Sequence, residues 1–102
     1  MANWTPISLK ELQYLVENGV SKMSKEQISF WKTISIKPEK WKEKNFGKEG
    51  KGFWVVATYL DKTIWYNDIE EGFNISFFSK RGYISEYSAE QDDLHFAIVK
   101  LK

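Results

Sequence analysis

Residues 53–60 restrict the fold more than any other part of the sequence, because an extended strand there would carry apolar side chains on both faces. Successive side chains of a strand point to opposite sides. The two sets are Phe53, Val55, Ala57 and Tyr59 on one side, and Trp54, Val56, Thr58 and Leu60 on the other. The pattern predicts a central strand covered on both faces, or a sheet with a partly exposed aromatic face.

Three segments carry capping boxes, in which a Ser side chain and a Glu or Gln side chain three residues later bind the first amides of a helix. They are Ser-Leu-Lys-Glu at residues 8–11, Ser-Lys-Glu-Gln at residues 24–27 and Ser-Ala-Glu-Gln at residues 88–91. The third is followed by an apolar stripe at helical spacing, formed by Leu94, Ala97, Ile98 and Leu101. We expect two helices before the sheet and one, opening at Ser88, after it.

Four further segments alternate polar and apolar residues as strands do: residues 34–37, 63–67, 73–78 and 83–87. Pro38 is expected to end the first of these strands or to confine it to an edge. Residues 80–82 predict a hairpin turn, with Gly82 at a position of positive φ. Short connections favour pairing between neighbours in sequence. The predicted fold class is α+β, with an antiparallel four- to five-stranded meander sheet, two N-terminal helices and one C-terminal helix.

Length and composition exclude several classes of protein. A chain of 102 residues is expected to form a single domain, residues 1–102. Cysteine is absent, which excludes disulfides, thiolate metal sites and thiol nucleophiles. The first ten residues lack the apolar stretch of a signal peptide. The longest apolar run, residues 53–57, is far shorter than the roughly 20 residues of a membrane span. We therefore expect a cytoplasmic protein that makes no contact with a membrane.

The net charge of +1 hides an asymmetry between the two halves of the chain. Residues 1–52 hold ten Lys and six Glu, a net charge of +4, whereas residues 53–102 hold five Lys or Arg and eight Asp or Glu, a net charge of −3. A nearly neutral total argues against a dedicated nucleic-acid-binding protein, which normally has a clear basic excess. The acidic half instead favours a partner with a basic surface.

Residues 65–74 hold three large aromatic residues, three carboxylates, two asparagines and one glycine between two predicted strands. In a meander, this turn and the start of the last helix lie at the same end of the sheet, so we expect their carboxylates to converge beside exposed rings. Aromatic anchors and steering charge favour a protein partner. Asn67 and Asn74 are expected to hold the turn. The predicted partner-binding residues are Trp65, Tyr66, Asp68, Glu70, Glu71, Asp92 and Asp93.

A second interpretation is a small ligand- or single-stranded nucleic-acid-binding module that uses exposed aromatic side chains. Its rings would be Trp54, Trp65, Tyr66 and Phe73, and its basic region would be Lys40, Trp41, Lys42 and Lys44. Acidic neighbours of the rings repel phosphate, so nucleic acid is the less favoured partner. Residues 45–52 are typical of a mobile loop, and their glycines lack the Lys and the following helix of a phosphate-binding loop.

Catalytic groups are sparse in the sequence. His95, the only histidine, follows Asp92 by three positions, a spacing that could pair a base with an orienting carboxylate. No serine lies in a nucleophile motif, and one histidine with scattered carboxylates is a poor metal site. The carboxylates of residues 65–74 could serve a glycosidase, but any acidic turn would supply such a pair, so their spacing does not indicate one. We therefore expect a non-catalytic protein without a metal or other cofactor.

Three blocks of the sequence carry a resemblance: residues 52–56 (Gly-Phe-Trp-Val-Val), residues 65–74, and residues 87–94, which end in Gln-Asp-Asp-Leu. Over residues 50–95 the chain resembles small bacterial proteins, and its size, acidic patch and lack of a catalytic motif are similar to those of immunity proteins that neutralise secreted toxins. The resemblance implies a toxin domain as partner, with an acidic surface covering a basic active site, often that of a nuclease. The net charge of +1 departs from the strongly acidic members of that type.

Overall fold

The structure is a computed structural model that describes residues 4–101, apart from the side chain of Glu49. The predicted α+β class and the three predicted helices are confirmed. The helices are α1 (Leu9–Ser21), α2 (Lys25–Ile34) and α3 (Leu94–Leu101). The strands are β1 (Ser35–Glu43), β2 (Phe53–Tyr59), β3 (Lys62–Asn67), β4 (Gly72–Phe77) and β5 (Tyr83–Ile84), in the spatial order β4-β3-β2-β1-β5. Within these residues no helix combines the length and the apolar character that crossing a membrane requires.

Strand β2 lies in the middle of the sheet and is covered on both faces, as the first predicted alternative requires. The helix-side core consists of Leu12, Met23, Trp31, Ile34, Val56, Ala57, Ile64, Tyr66, Phe73, Leu94, Ala97, Ile98 and Leu101. The loop-side core consists of Trp41, Phe53, Val55, Trp65 and Ile84. A β-bulge follows Val55, so that the neighbours Val56 and Ala57 both join the helix-side core. The three helices therefore cover one face only, and irregular chain covers the other.

The predicted meander is wrong at its last strand. Residues 80–82 do not join β4 to an antiparallel neighbour; the chain crosses to the opposite edge, where β5 pairs parallel to β1. There the Lys42 amide donates to the Gly82 carbonyl at 2.9 Å. The Ser85 amide then donates to the carbonyl of Phe77 on β4 at 3.0 Å. The sheet is consequently mixed and curled, with one short segment contacting both of its edges. Alternation in a short strand cannot tell which edge the strand will join.

The prediction that the third capping box opens a helix at Ser88 is also wrong. Residues 88–91 have no regular secondary structure, and Asp92 forms an antiparallel bridge with Phe73 on β4. The Ser88 hydroxyl donates to Asn74 Oδ1 at 2.7 Å instead of capping a helix, and α3 begins at Leu94. The first two boxes do cap their helices, with the amides of Glu11 and Gln27 each donating to a serine hydroxyl at 3.1 Å. A tertiary contact from the buried Asn74 overrides a local signal of equal strength.

Pro38 does not end the first strand. Strand β1 continues through it to Glu43, and the pairing with β2 is shifted between Ser35 and Glu39. Pairing with β5 is confined to Lys42 and Glu43, so no ladder donor is lost at the proline. The expectation that Pro38 marks an edge is met over this stretch of β1.

Candidate functional site: an acidic groove and a basic cleft

The rings predicted to be exposed anchors are buried. Trp65 has 0% of its surface exposed, and its indole Nε1–H donates to Ser76 Oγ at 3.0 Å. Tyr66 is 8% exposed and packs edge-to-face on Phe73, with ring centroids 5.1 Å apart. Strand β3 lies inside the sheet with a core on each face, so both of its faces are covered. The prediction that these two rings rim a contact surface is therefore wrong.

The two asparagines hold the turn, as predicted. Asn67 Oδ1 accepts from the amides of residues 69 and 70 at 3.0 and 3.2 Å, and its Nδ2 donates to the Ser88 carbonyl at 2.9 Å. Asn74 binds Glu90 twice, donating to its carbonyl at 2.9 Å and accepting from its amide at 2.6 Å. These bonds bring the backbone of the acidic turn next to residues 88–92. The predicted convergence of the two backbone segments is confirmed.

Their carboxylates nevertheless divide between separate places. Asp92 pairs with Lys100 at 2.6 Å, and this hydrogen bond holds the pKa of Lys100 above its usual value. Glu86, Glu90 and Asp92 line a groove of about 320 Å³ together with Lys62 and Lys100, whose two ammonium groups offset most of the negative charge. Asp93 is exposed, and its backbone carbonyl accepts the first amides of α3. The start of the last helix therefore adds no unpaired acidic cluster to the turn.

Glu70 and Asp68, two of the predicted residues in the turn, differ in exposure. Glu70 is half-buried, and its amide rather than its carboxylate binds Asn67. Asp68 is buried and faces the segment before α1, together with the exposed Glu71. The turn thus presents its charge toward the N-terminal part of the chain, and not toward residues 88–93.

We call the depression between that segment and the turn the acidic groove. Its volume is about 540 Å³. The side chains that define it are Glu11, Asp68, Glu71, Tyr14 and Tyr66, with Lys10 as the one basic group. Tyr14 is 68% exposed, so the groove has one exposed ring as well as one buried ring. Three carboxylates against one ammonium give the groove a net negative charge.

The Asp68 carboxylate forms the most unusual group in the groove. It is 5% exposed, and its Oδ2 accepts from the Ile7 amide at 2.9 Å. Its Oδ1 is buried and has no hydrogen-bond partner among residues 4–101. Burial raises the pKa of Asp68 above its usual value, and the backbone amides of Ile7 and of Asp68 itself, with the charge of Lys40, oppose that rise only in part. One acceptor atom of a buried anion is therefore unused.

Tyr66 responds to the same charges. Burial, followed by the carboxylates of Glu71, Asp68 and Glu11, raises the pKa of the Tyr66 phenol to about 12. The phenol therefore stays neutral over the whole physiological range and can act as a hydrogen-bond donor. All three carboxylates therefore lie near enough to the phenol to act on its ionisation.

We call the second depression the basic cleft. It lies between the end of β1, residues 44–52 and β5, and its volume is about 830 Å³. Its basic groups are Lys42, Lys44, Lys48 and Lys51, and its exposed rings are Phe46 and Tyr83. The Lys80 ammonium lies 5.3 Å from the Tyr83 ring centroid and adds a further positive charge beside the cleft. This is the opposite charge to that of the acidic groove.

The loop that forms the cleft, predicted to be mobile, is packed on the core at defined points. Glu43 is buried, and its Oε1 accepts the amides of Asn45 and Phe46 at 2.7 and 2.9 Å. Gly52, at a φ of +111°, lies so close to the Trp41 carbonyl that a Cβ atom would approach its oxygen to 2.4 Å. Glu43 is the one carboxylate among the described side chains that line the cleft, and it is thus committed to the loop backbone.

The basic region proposed from the sequence is only partly in this cleft. Trp41 is buried in the loop-side core, and Lys40 turns away to donate to the Gly50 carbonyl at 2.8 Å, with its ammonium 4.8 Å from the Trp54 ring centroid. Lys42 and Lys44 do line the cleft. The sequence therefore located the basic region and two of the four lysines that line it.

His95 does not form the base–carboxylate pair that its spacing allowed. Asp92 pairs with Lys100, and the buried Nδ1 of His95 has no hydrogen-bond partner in the described part of the chain. The ring lies on Phe96, with centroids 4.2 Å apart. No group of three or more His, Asp or Glu side chains in residues 4–101 is placed to hold a metal ion.

Several site residues were not identified from the sequence: Glu11, Tyr14, Phe46, Lys48, Lys51 and Tyr83. For Tyr14 a signal existed, because it is a large ring outside the apolar stripe of α1 and three positions after Glu11. For Tyr83 the neighbouring Lys80 and Arg81 gave a weaker signal. Comparison with models of protein families, with curated proteins and with solved structures finds no match.

Proposed function

We propose that this protein is a non-catalytic binding module that takes an Arg or Lys side chain of a basic protein partner into the acidic groove. One observation carries the proposal: the buried Asp68 Oδ1 has no partner among residues 4–101, at a groove that already holds two further carboxylates. Buried polar atoms are normally paired. Because Oδ1 is itself buried, the Asp68 carboxylate must turn toward the groove for a guanidinium or ammonium group of a partner to supply the missing donor.

The chemistry of the groove fits a cation better than a neutral guest. Coulomb attraction to a carboxylate grows as water is excluded, and Asp68 is already desolvated. Glu11 and Glu71 attract a basic partner at longer range, which raises the association rate. Tyr14 offers an exposed ring face for a cation–π contact. Lys10 leaves the net charge negative, so it weakens the attraction without reversing it.

The protein-binding patch proposed here retains four of the residues predicted from the sequence. Tyr66, Asp68 and Glu71 line the groove, and Glu70 belongs to the same turn. Asp92 and Asp93 are left out. Tyr66 is part of the floor, whereas Trp65 supports the sheet from the loop-side core. The exposed Tyr14 takes the anchoring role that had been assigned to the ring of Trp65.

A bacterial toxin domain is the more specific partner that the resemblance to immunity proteins favours. A basic active site has Arg and Lys side chains of the kind that the groove accepts. The test is functional: if a toxin-like reading frame lies next to this gene, co-expression with it should restore growth, and Asp68→Asn should reduce that protection. Equal protection by the wild type and by Asp68→Asn would mean that toxin neutralisation does not use the acidic groove.

The binding proposal itself is tested with a defined probe. A capped arginine-rich peptide and its citrulline counterpart, which has the same shape without the charge, are titrated into the protein by calorimetry, and amide shifts are mapped by NMR. Asp68→Asn keeps an acceptor for the Ile7 amide while removing the charge. Asp61→Asn is the matched control, because Asp61 is exposed in the turn at the other end of β3.

We expect the arginine peptide to bind at least about tenfold more weakly to Asp68→Asn than to the wild type, which corresponds to about 1.4 kcal/mol or more. Asp61→Asn should bind like the wild type, and the citrulline peptide should bind weakly to all three forms. Shifts should centre on the amides of Ile7, Glu11 and Glu71. Equal affinities for the two Asn variants, or shifts centred elsewhere, would refute the proposal.

A further inference from the structure

We propose that the basic cleft is a second binding site, independent of the acidic groove, and that it takes single-stranded nucleic acid without sequence preference. The observation behind this is the combination of a positive groove with exposed rings, which is how single-strand-binding proteins track a backbone and stack its bases. The nearly neutral net charge of the chain does not oppose this, because the charge of the cleft is local.

The charge of the cleft is concentrated in its lysines. Four lysines line it, and Glu43, the one carboxylate among its described side chains, is buried and accepts two backbone amides. Lys44, Lys48 and Lys51 are exposed. Each can contact a phosphate as a point charge and release a bound counterion from the nucleic acid. A polyanion is therefore the ligand class that matches this surface.

The exposed rings of the cleft indicate which kind of polyanion it binds. Tyr83 is 49% exposed, and Phe46 is 43% exposed and stacks on Tyr87 with ring centroids 4.0 Å apart and an interplanar angle of 26°. That stack holds the plane of Phe46 in place. Flat, exposed rings suit the faces of bases, whereas an acidic peptide has no such faces. The base component of the ligand is thus expected to contribute as much as the phosphate component.

The cleft has few groups that could read a sequence. Sequence is read at base edges chiefly by the planar groups of Arg, Asn, Gln and free carboxylates, whereas Lys, which can also bind guanine, offers only a flexible point charge. Arg81 is paired with Glu39 at 2.9 Å and lies against the Trp41 ring, outside the set of residues that line the cleft. Lysines contact phosphates, which position a strand but do not identify its bases. Binding without sequence preference follows from this composition.

The cleft is formed before a ligand arrives. The loop behind it is fixed by Glu43 and by Gly47, whose φ is +80° and where a Cβ atom would come within 2.7 Å of the Phe53 ring. The parallel pairing of β5 with β1 fixes Tyr83 opposite that loop. A preformed site loses less conformational entropy on binding than a loop that must first become ordered.

The test uses the full chain and an oligothymidylate of about ten nucleotides, within the site sizes of known single-strand binders. Fluorescence anisotropy measures its affinity over a range of salt concentrations, next to an abasic strand of the same length and charge and an oligoglutamate peptide. Lys44→Ala with Lys48→Ala removes two charges from the cleft. Lys25→Ala with Lys32→Ala removes two exposed charges from α2 and is the matched control. Tyr83→Leu removes a ring but keeps apolar volume.

We expect the oligothymidylate to bind at least about fivefold more tightly than the abasic strand. The cleft double variant should lower the magnitude of the slope of log affinity against log salt by about 1.4, and the α2 control should not. Tyr83→Leu should reduce the difference in affinity between the oligothymidylate and the abasic strand. Asp68→Asn should leave both of these affinities unchanged. Equal binding of the two strands, equal loss in the two double variants, or preference for oligoglutamate would overturn the proposal.

Discussion

The acidic groove and the basic cleft hold their charges in opposite ways. In the groove, the decisive carboxylate of Asp68 is buried, accepts one hydrogen bond and leaves one oxygen unpaired. In the cleft, lysines are exposed around exposed rings, and the buried carboxylate of Glu43 accepts two amides and holds the loop. Binding in the groove should therefore depend on one atom and on pH, whereas binding in the cleft should depend on summed charge and on salt.

The two sites also differ in what lies beneath them. The turn of the acidic groove is tied to β3 and β4, which lie in the part of the sheet that has a core on each face. The cleft is formed by a loop and a two-residue strand. We expect damage to the sheet under the groove to lower the stability of the whole protein. Damage to the cleft should stay local. Four substitutions test this difference, in order of decreasing expected effect.

The largest effect is expected for Trp65→Ala. The ring is fully buried and its indole N–H is bound to Ser76, so its loss should lower the free energy of unfolding by about 3–5 kcal/mol. Tyr83→Ala, in the cleft, removes a half-exposed ring and should cost about 0.5 kcal/mol. Urea denaturation measures both. Similar losses in the two variants would mean that Trp65 is not a core residue.

Asn74→Ala should have the next largest effect. Its side chain is buried and binds Ser88 and Glu90, so its removal leaves buried backbone groups unpaired and should cost about 2–3 kcal/mol. The amides of Glu90 and Phe73 should also exchange with solvent faster. Asn45→Ala, on the exposed cleft loop, is the comparison and should change stability by less than about 0.5 kcal/mol. Unchanged protection at Glu90 would contradict the network described here.

Glu43→Ala should act on the cleft alone. It removes the acceptor for two loop amides and should cost about 1–2 kcal/mol. Hydrogen exchange should speed up at Asn45 and Phe46 but not at Ile7, whose amide is bound to Asp68 in the acidic groove. Glu43→Gln keeps one side-chain acceptor and should preserve most of the protection. Faster exchange at Ile7 would show that the two sites are coupled.

The smallest effect on stability is expected for Glu71→Gly. Glu71 has a φ of +59°, a conformation that Gly adopts without strain, so the change should raise the free energy of unfolding by up to about 1 kcal/mol. It also removes one carboxylate of the acidic groove and should weaken arginine-peptide binding. Leu60→Gly, at a φ of +56° in the turn before β3, is the control: it relieves a similar backbone strain but removes no carboxylate. A variant that is more stable and binds equally well would exclude Glu71 from the site.

The sequence predicted which faces of the sheet are covered better than it predicted the path of the last third of the chain. The two-sided apolar pattern of residues 53–60 allowed for β2 at the centre of the sheet, as one of two alternatives. A strand that is buried on both faces needs apolar side chains on both faces, so its own sequence shows this. The strand with which β5 pairs, and the non-helical conformation of residues 88–92, depend instead on contacts with residues that are distant in the sequence. Asn74, which binds Ser88, is one of these. Local pattern carries no information about such contacts.

The candidate site was predicted in part, for a related reason. Asp68 and Glu71 were identified because acidic residues cluster in residues 65–74. The burial of Trp65 was missed, because a ring next to a charged turn gives no sign of which face of the strand it occupies or whether that face is covered. Glu11 was interpreted only as a capping residue. Its place in the acidic groove follows from the contact of Ile7 with Asp68, sixty-one positions apart in the chain.

The most direct measurement is the pKa of Asp68 with and without the arginine-rich peptide, followed by the ¹³C shift of its carboxyl group. In the free protein burial holds this pKa above its usual value. A cation at Oδ1 favours the charged form and lowers the pKa. By linkage, the peptide must then bind more tightly as the pH rises through the pKa of the free protein. We predict a clear fall in the Asp68 pKa with the arginine peptide and none with its citrulline counterpart. The same pKa in the free and peptide-saturated protein would contradict the account.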